Sequence, residues 1–95
     1  MILHVILFMQ VRKAKLLEHV RNNPANVRFS DLCKLAEDFG FRLRGSRGSH
    51  RIYTRQEVRE LLNFQNVGGK AKPYQVRQVR DVVLKHRLGE QDDEV

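Results

Sequence analysis

Gly40-Phe41-Arg42-Leu43-Arg44-Gly45-Ser46-Arg47-Gly48-Ser49-His50-Arg51-Ile52-Tyr53-Thr54-Arg55 is the stretch in which the apolar period changes from helical to twofold. Phe41 and Leu43 alternate with Arg42 and Arg44, the pattern of a half-buried strand. Gly45-Ser46-Arg47-Gly48 reads as a turn and Ser49 to Arg55 as a second strand, so the stretch predicts a β-hairpin.

Toward the N-terminus the pattern is helical. Ser30 suits an N-cap, Asp31 favours the positive helix end, Leu32, Leu35, Ala36 and Phe39 form an apolar stripe, and Gly40 supplies the left-handed stop. Residues 10–22 place Ala14, Leu17 and Val20 three apart, and Asn22-Asn23-Pro24 ends that helix. Residues 1–9 are apolar but far short of the roughly 20 that span a membrane. With no basic segment ahead of them and no small-residue cleavage site, they do not read as a secretory signal. They add either an edge strand or an extension ahead of a start at Met9. The second is preferred, because a sound helix begins just after Met9.

Toward the C-terminus, residues 60–67 predict a third strand with Leu62 and Phe64 on one face. Gly68-Gly69-Lys70-Ala71-Lys72 reads as a basic, flexible loop. Pro73 suits the first position of a helix over 74–88, with Val76, Val79 and Val83 on its buried face. The acidic residues 90–95 predict a disordered tail. The expected fold is therefore α+β: a three-stranded antiparallel sheet with helices packed on one face, plus an extra N-terminal helix. Residues 10–89 form its single domain.

Charge narrows the partners. The 95 residues hold 18 Lys and Arg against 11 acids, a net +7. Four of those acids (Glu90, Asp92, Asp93, Glu94) lie in the last six residues, so residues 1–89 carry +11. Such a body attracts polyanions by counterion release, and nucleic acid is the first partner to consider. The lone Cys33 rules out an internal disulfide and a multi-cysteine zinc site, reads as a buried inert thiol, and agrees with a cytoplasmic setting. The four histidines and scattered carboxylates lack metal-ligand spacing, so no metal is expected.

The hairpin concentrates the chemistry. Between Arg42 and Arg59 lie six arginines (42, 44, 47, 51, 55 and 59) and one acid, Glu57. Guanidinium forks match phosphate oxygens, and Tyr53, on one face with Arg51 and Arg55, can stack on a base. The alternative is a solvated sheet face with no ligand. His50 follows a glycine turn and can exchange a proton near neutral pH, as RNA cleavage requires. Strand parity places it with Ile52 rather than Arg51, which also admits a partly buried structural ring unless a bulge near Gly48 re-aims it.

From Asp31 to about Leu88 the chain resembles the HicA family of bacterial toxins. The matching features are Gly40-Phe41 at the end of a helix, the basic strand, Gly48-Ser49-His50 leading into a strand with Tyr53, and a closing helix from Pro73. The resemblance implies a fold like a double-stranded RNA-binding domain, metal-independent cleavage of messenger RNA, and silencing by a HicB antitoxin. It makes His50 the catalytic residue and Lys72 an RNA contact. The chain departs from the family in its helix at 10–22, in Arg51 where a second histidine is common, and in residues 70–76.

The expected site is thus His50 as general acid or base, Arg47 and Arg51 as phosphate clamps, and Tyr53 as a stacking or orienting group. Arg44, Ser49, Lys70 and Lys72 complete the RNA contacts, with no metal or small-molecule cofactor. The alternative is a non-catalytic RNA-binding module, or an adaptor for an acidic protein. DNA binding ranks third, since no convincing recognition helix appears and the basic cluster lies on strands.

Overall fold

The glycine stop at residue 40 organises the centre of the molecule. The computed structural model describes residues 2–88; the expected tail at 90–95 lies outside the described residues. Helix α2 runs Phe29–Asp38. Gly40, at φ +87°, donates its N–H to the Glu37 carbonyl at 2.9 Å, and Phe41 donates to Ala36 at 3.0 Å. That pair of bonds is a Schellman stop, and it turns the chain into the sheet. The start of α2 differs from expectation. Arg28, in extended geometry, precedes the helix, and no side chain caps it. The Phe29 N–H instead reaches the Gly69 carbonyl at 2.9 Å, because residues 27–29 enter the helix as an extended segment paired to the sheet.

The sheet has four strands, not three. They are β1 (Arg42–Arg47), β2 (His50–Thr54), β3 (Leu62–Val67) and β4 (Lys70–Ala71), in that spatial order with every neighbour antiparallel. The extra strand lies in the stretch expected to be a flexible loop. Gly68 (φ +59°) and Gly69 (φ +86°) form a two-residue turn whose paired positive φ values match strand twist, so Lys70 and Ala71 fold back onto β3. Ala71 is then held from its other side by its N–H bond to the Val27 carbonyl, at 2.9 Å.

The first hairpin is also longer than expected. Arg44 is absorbed in a bulge between Leu43 and Gly45, Gly45 pairs with Ile52, β1 continues to Arg47, and the turn is Gly48-Ser49 alone. Strand β1 is exposed along its whole length, and Leu43 remains 50% exposed. It is not the half-buried strand that alternation predicted, because no helix reaches over this edge.

Helix α3 (Pro73–Lys85) buries Val76, Val79 and Val83 as expected, but ends three residues earlier than predicted. Helix α1 (Ile2–Asn22) extends the predicted helix back through residues 2–9, where no edge strand forms. Its first turns stay exposed, while Val20 enters the core and Leu16 and Leu17 pack partly against it. The core lies between the helices and one sheet face, around Leu32, Leu35, Phe39, Tyr53, Leu62 and Phe64. No helix among the described residues is long and apolar enough to cross a membrane.

Candidate functional site

Strand parity divides the sheet into a helix-covered face and an open face. Tyr53, Leu62 and Phe64 point into the core, so His50, Ile52 and Asn63 point the other way. His50 is half-buried and pairs directly with Arg47 on β1 and Gln65 on β3. Residues so opposed hold their Cβ atoms about 5 Å apart, which sets the Arg47 guanidinium within reach of anything the imidazole touches. The bulge at Arg44 and the short turn at Gly48-Ser49 create this pairing.

The ring is held by its neighbour on β3. His50 Nδ1 lies 3.2 Å from Asn63 Oδ1. An amide oxygen only accepts, so the neutral tautomer that bonds to it is the one with the proton on Nδ1, in which Nε2 carries the lone pair. Sequence reading missed Asn63, although the alternation of Leu62 and Phe64 with Asn63 and Gln65 would have found it once β2–β3 pairing was assumed.

Charge on this surface is one-sided. Strands β1–β4 contain Arg42, Arg44, Arg47, Arg51 and Lys70 and no acid. Lys70 pairs with Val67, whose parity matches Asn63 and Gln65, so it shares the open face with His50 two strands away, about 10 Å across the sheet. Arg28 bridges to Lys70 and joins that face, another residue the sequence did not single out.

Two expected site residues lie elsewhere. Tyr53 is 1% exposed, stacks on Phe64 with centroids 5.4 Å apart, and donates its hydroxyl to Glu37 Oε1 at 3.3 Å. Burial, then the neighbouring Cys33 thiol, push its pKa up, and no base can reach the ring. Its parity was read correctly, but it marks the core face. Arg51 shares that parity; its guanidinium sits 5.3 Å over the Phe29 ring, on the opposite side of β2 from His50. Ser49 lies in the turn, where its carbonyl accepts the Asn66 N–H at 2.9 Å. Arg44 is exposed at the bulge, and the Lys72 ammonium lies 5.9 Å over Tyr74 at the start of α3. The structure therefore gathers His50, Arg47 and Lys70 on one face, and leaves Arg51 and Tyr53 off it.

Several other titratable groups make contacts within the fold. Arg55 Nη1 donates to the Phe39 carbonyl at the end of α2. His19 Nε2 meets the Asn26 carbonyl at 2.8 Å, and His86 Nε2 meets Glu60 at 2.9 Å. Cys33 is buried, as expected, and burial raises its pKa. Among the described residues, no three His, Cys, Asp or Glu side chains gather as a metal-holding group.

The family model for the HicA toxin of bacterial toxin–antitoxin systems matches residues 29–86, from the first residue of α2 to just past the end of α3. No curated protein and no solved structure matches the chain.

Proposed function

The chain belongs to the HicA family of toxins of bacterial toxin–antitoxin systems, and on that premise we propose that it is a cytoplasmic endoribonuclease that cuts messenger RNA through His50. The observation that carries this reading is the His50 ring, held at Nδ1 by Asn63 and set opposite Arg47 on strands that carry no carboxylate. Nε2 takes the proton of a ribose 2′-hydroxyl, and the oxygen attacks the adjacent phosphorus. The bond to the 5′ oxygen breaks, leaving a 2′,3′-cyclic phosphate, and solvent protonates the departing oxygen. Arg47 neutralises the charge that builds on the phosphoryl oxygens of the transition state. Lys70 and Arg28 hold the strand on the same face by their charge. The reaction so written needs no metal and no cofactor. The scaffold is of the double-stranded RNA-binding type, and a HicB-like antitoxin silences the toxin.

The test is cleavage of RNA in EDTA by the full chain and by His50→Ala, with matched circular dichroism. Cleavage by the wild type alone, with cyclic phosphate ends, supports the reading; equal cleavage by the variant removes His50 from it. The second reading, a non-catalytic RNA-binding module, is favoured by one observation: Arg51 and Tyr53, both expected to serve chemistry, are turned to the helix face. RNA binding without cleavage by either protein would select it.

A further inference from the structure

At the end of the β1–β2 hairpin away from His50, Arg42, Arg44, Arg55 and Thr54 line an open cleft of ≈ 680 Å³. Arg42 pairs directly with Thr54, and by parity both share the open face with His50. Arg44 is the unpaired residue of the bulge between Leu43 and Gly45, which breaks the alternation there, and it lines the same cleft. Arg55 forms the fixed wall, since its guanidinium is tied to the Phe39 carbonyl and packs over Gly40. Arg42 and Arg44 make no hydrogen bond or ion pair among the described residues. Glu57 is the one carboxylate in the lining.

Arg42 and Arg44 thus present open guanidinium forks beside the fixed Arg55, and a phosphodiester matches both the fork geometry and the Thr54 hydroxyl. Thr54 lies four positions along β2 from His50, about 13 Å of strand, a length that a few nucleotides of extended RNA cover. We propose that this cleft is a second phosphate-binding site, which takes the RNA backbone a few nucleotides from the phosphate that faces His50. The proposal rests on the RNA reading above and not on cleavage. It gives the hairpin a polarity, with chemistry at the turn and strand grip at the base. Glu57 at the rim sets an upper limit on how tightly the backbone is held.

The experiment uses the full chain and 2′-O-methyl oligonucleotides, which lack the attacking hydroxyl and cannot be cut by this route. Affinity is measured from dinucleotide to octanucleotide for the wild type, for Arg42→Gln/Arg44→Gln, and for Glu57→Gln. Strand β1 is exposed throughout, so the double variant keeps its fold, as circular dichroism checks. The expected result is a rise in wild-type affinity with length that the double variant lacks, with the dinucleotide unaffected. Each phosphate contact is worth about threefold, so the octanucleotide should bind about tenfold more weakly, with a salt slope shallower by about 1.4. Glu57→Gln should bind the octanucleotide more tightly. Equal affinity of wild type and double variant at every length would overturn the proposal. So would a double variant that keeps RNA but loses an acidic protein partner. Failure of the wild type to bind any of these RNAs would instead overturn the RNA reading itself.

Discussion

His50 and Asn63 meet across β2 and β3, with Nδ1 and Oδ1 3.2 Å apart, and this contact decides which ring nitrogen can act as a base. Asn63 is exposed and diagonal to the histidine rather than directly opposite it. Removing the amide leaves the core untouched and frees the ring to rotate and change tautomer. Asn63→Ala is therefore expected to keep its melting temperature and lose cleavage, by about tenfold or more, since orienting groups act through the base they hold. The ring nitrogen resonances of His50 check the cause: one dominant tautomer in the wild type and a mixture in the variant.

A carboxylate at the same place gives the opposite electrostatics. Asn63→Asp sets a negative charge against the ring and favours its protonated form. The base then becomes available only at higher pH. The acid limb of the cleavage profile should move upward, with the plateau rate retained. An unmoved limb would mean that His50 does not supply the base.

Arg47 is predicted to act on the transition state. Arg47→Gln should lower kcat by roughly a hundredfold, the usual effect of removing one stabilising donor. Arg47→Lys should recover only part of it, because an ammonium cannot span two phosphoryl oxygens. Binding of cleavage-resistant RNA should change far less than kcat, and single-turnover kinetics separate the two.

Several local signals were legible within one element, although the Ser30 cap was not, because the extended segment at residues 27–29 sets the start of α2. Gly40 stops α2, Pro73 opens α3, and Leu62 and Phe64 mark a buried strand face. What escaped depended on pairing. Gly68-Gly69 looks like a flexible linker until both glycines are seen to take positive φ in a two-residue turn, and only then does β4 exist. The bulge at Arg44 is likewise invisible to alternation, yet it shifts the register so that β1 runs on to Arg47 and sets that residue opposite His50. For the site, parity correctly separated His50 from Arg51. The error lay in which parity met the core: an arginine-flanked tyrosine reads as surface, but Tyr53 fills the space between Cys33 and Phe64.

Tyr53 supplies a direct test of that correction. Tyr53→Leu removes the ring contact with Phe64 and the bond to Glu37. Loss of a buried aromatic is expected to cost about 3 kcal/mol, read as a lower melting temperature or denaturation midpoint. At a temperature where the variant remains folded, its RNA affinity should equal that of the wild type. A weaker affinity in the folded variant would return Tyr53 to the binding surface.

The last prediction concerns the clasp between the chain before β3 and the end of α3. Glu60 accepts from Lys85 Nζ at 3.0 Å and meets His86 Nε2 at 2.9 Å. Those bonds, His86 first, lower its pKa from 4.5 to about 2. A carboxylate with a depressed folded-state pKa contributes stability that is complete above its unfolded value and is lost as pH falls through the folded one. The melting temperature should therefore decline between about pH 5 and pH 2 more steeply in the wild type than in Glu60→Gln, which has no carboxylate to titrate there. At pH 7 the variant should melt lower than the wild type, and the two curves should converge near pH 2. Parallel curves over the whole range would show that the clasp contributes nothing to the fold, whatever its geometry.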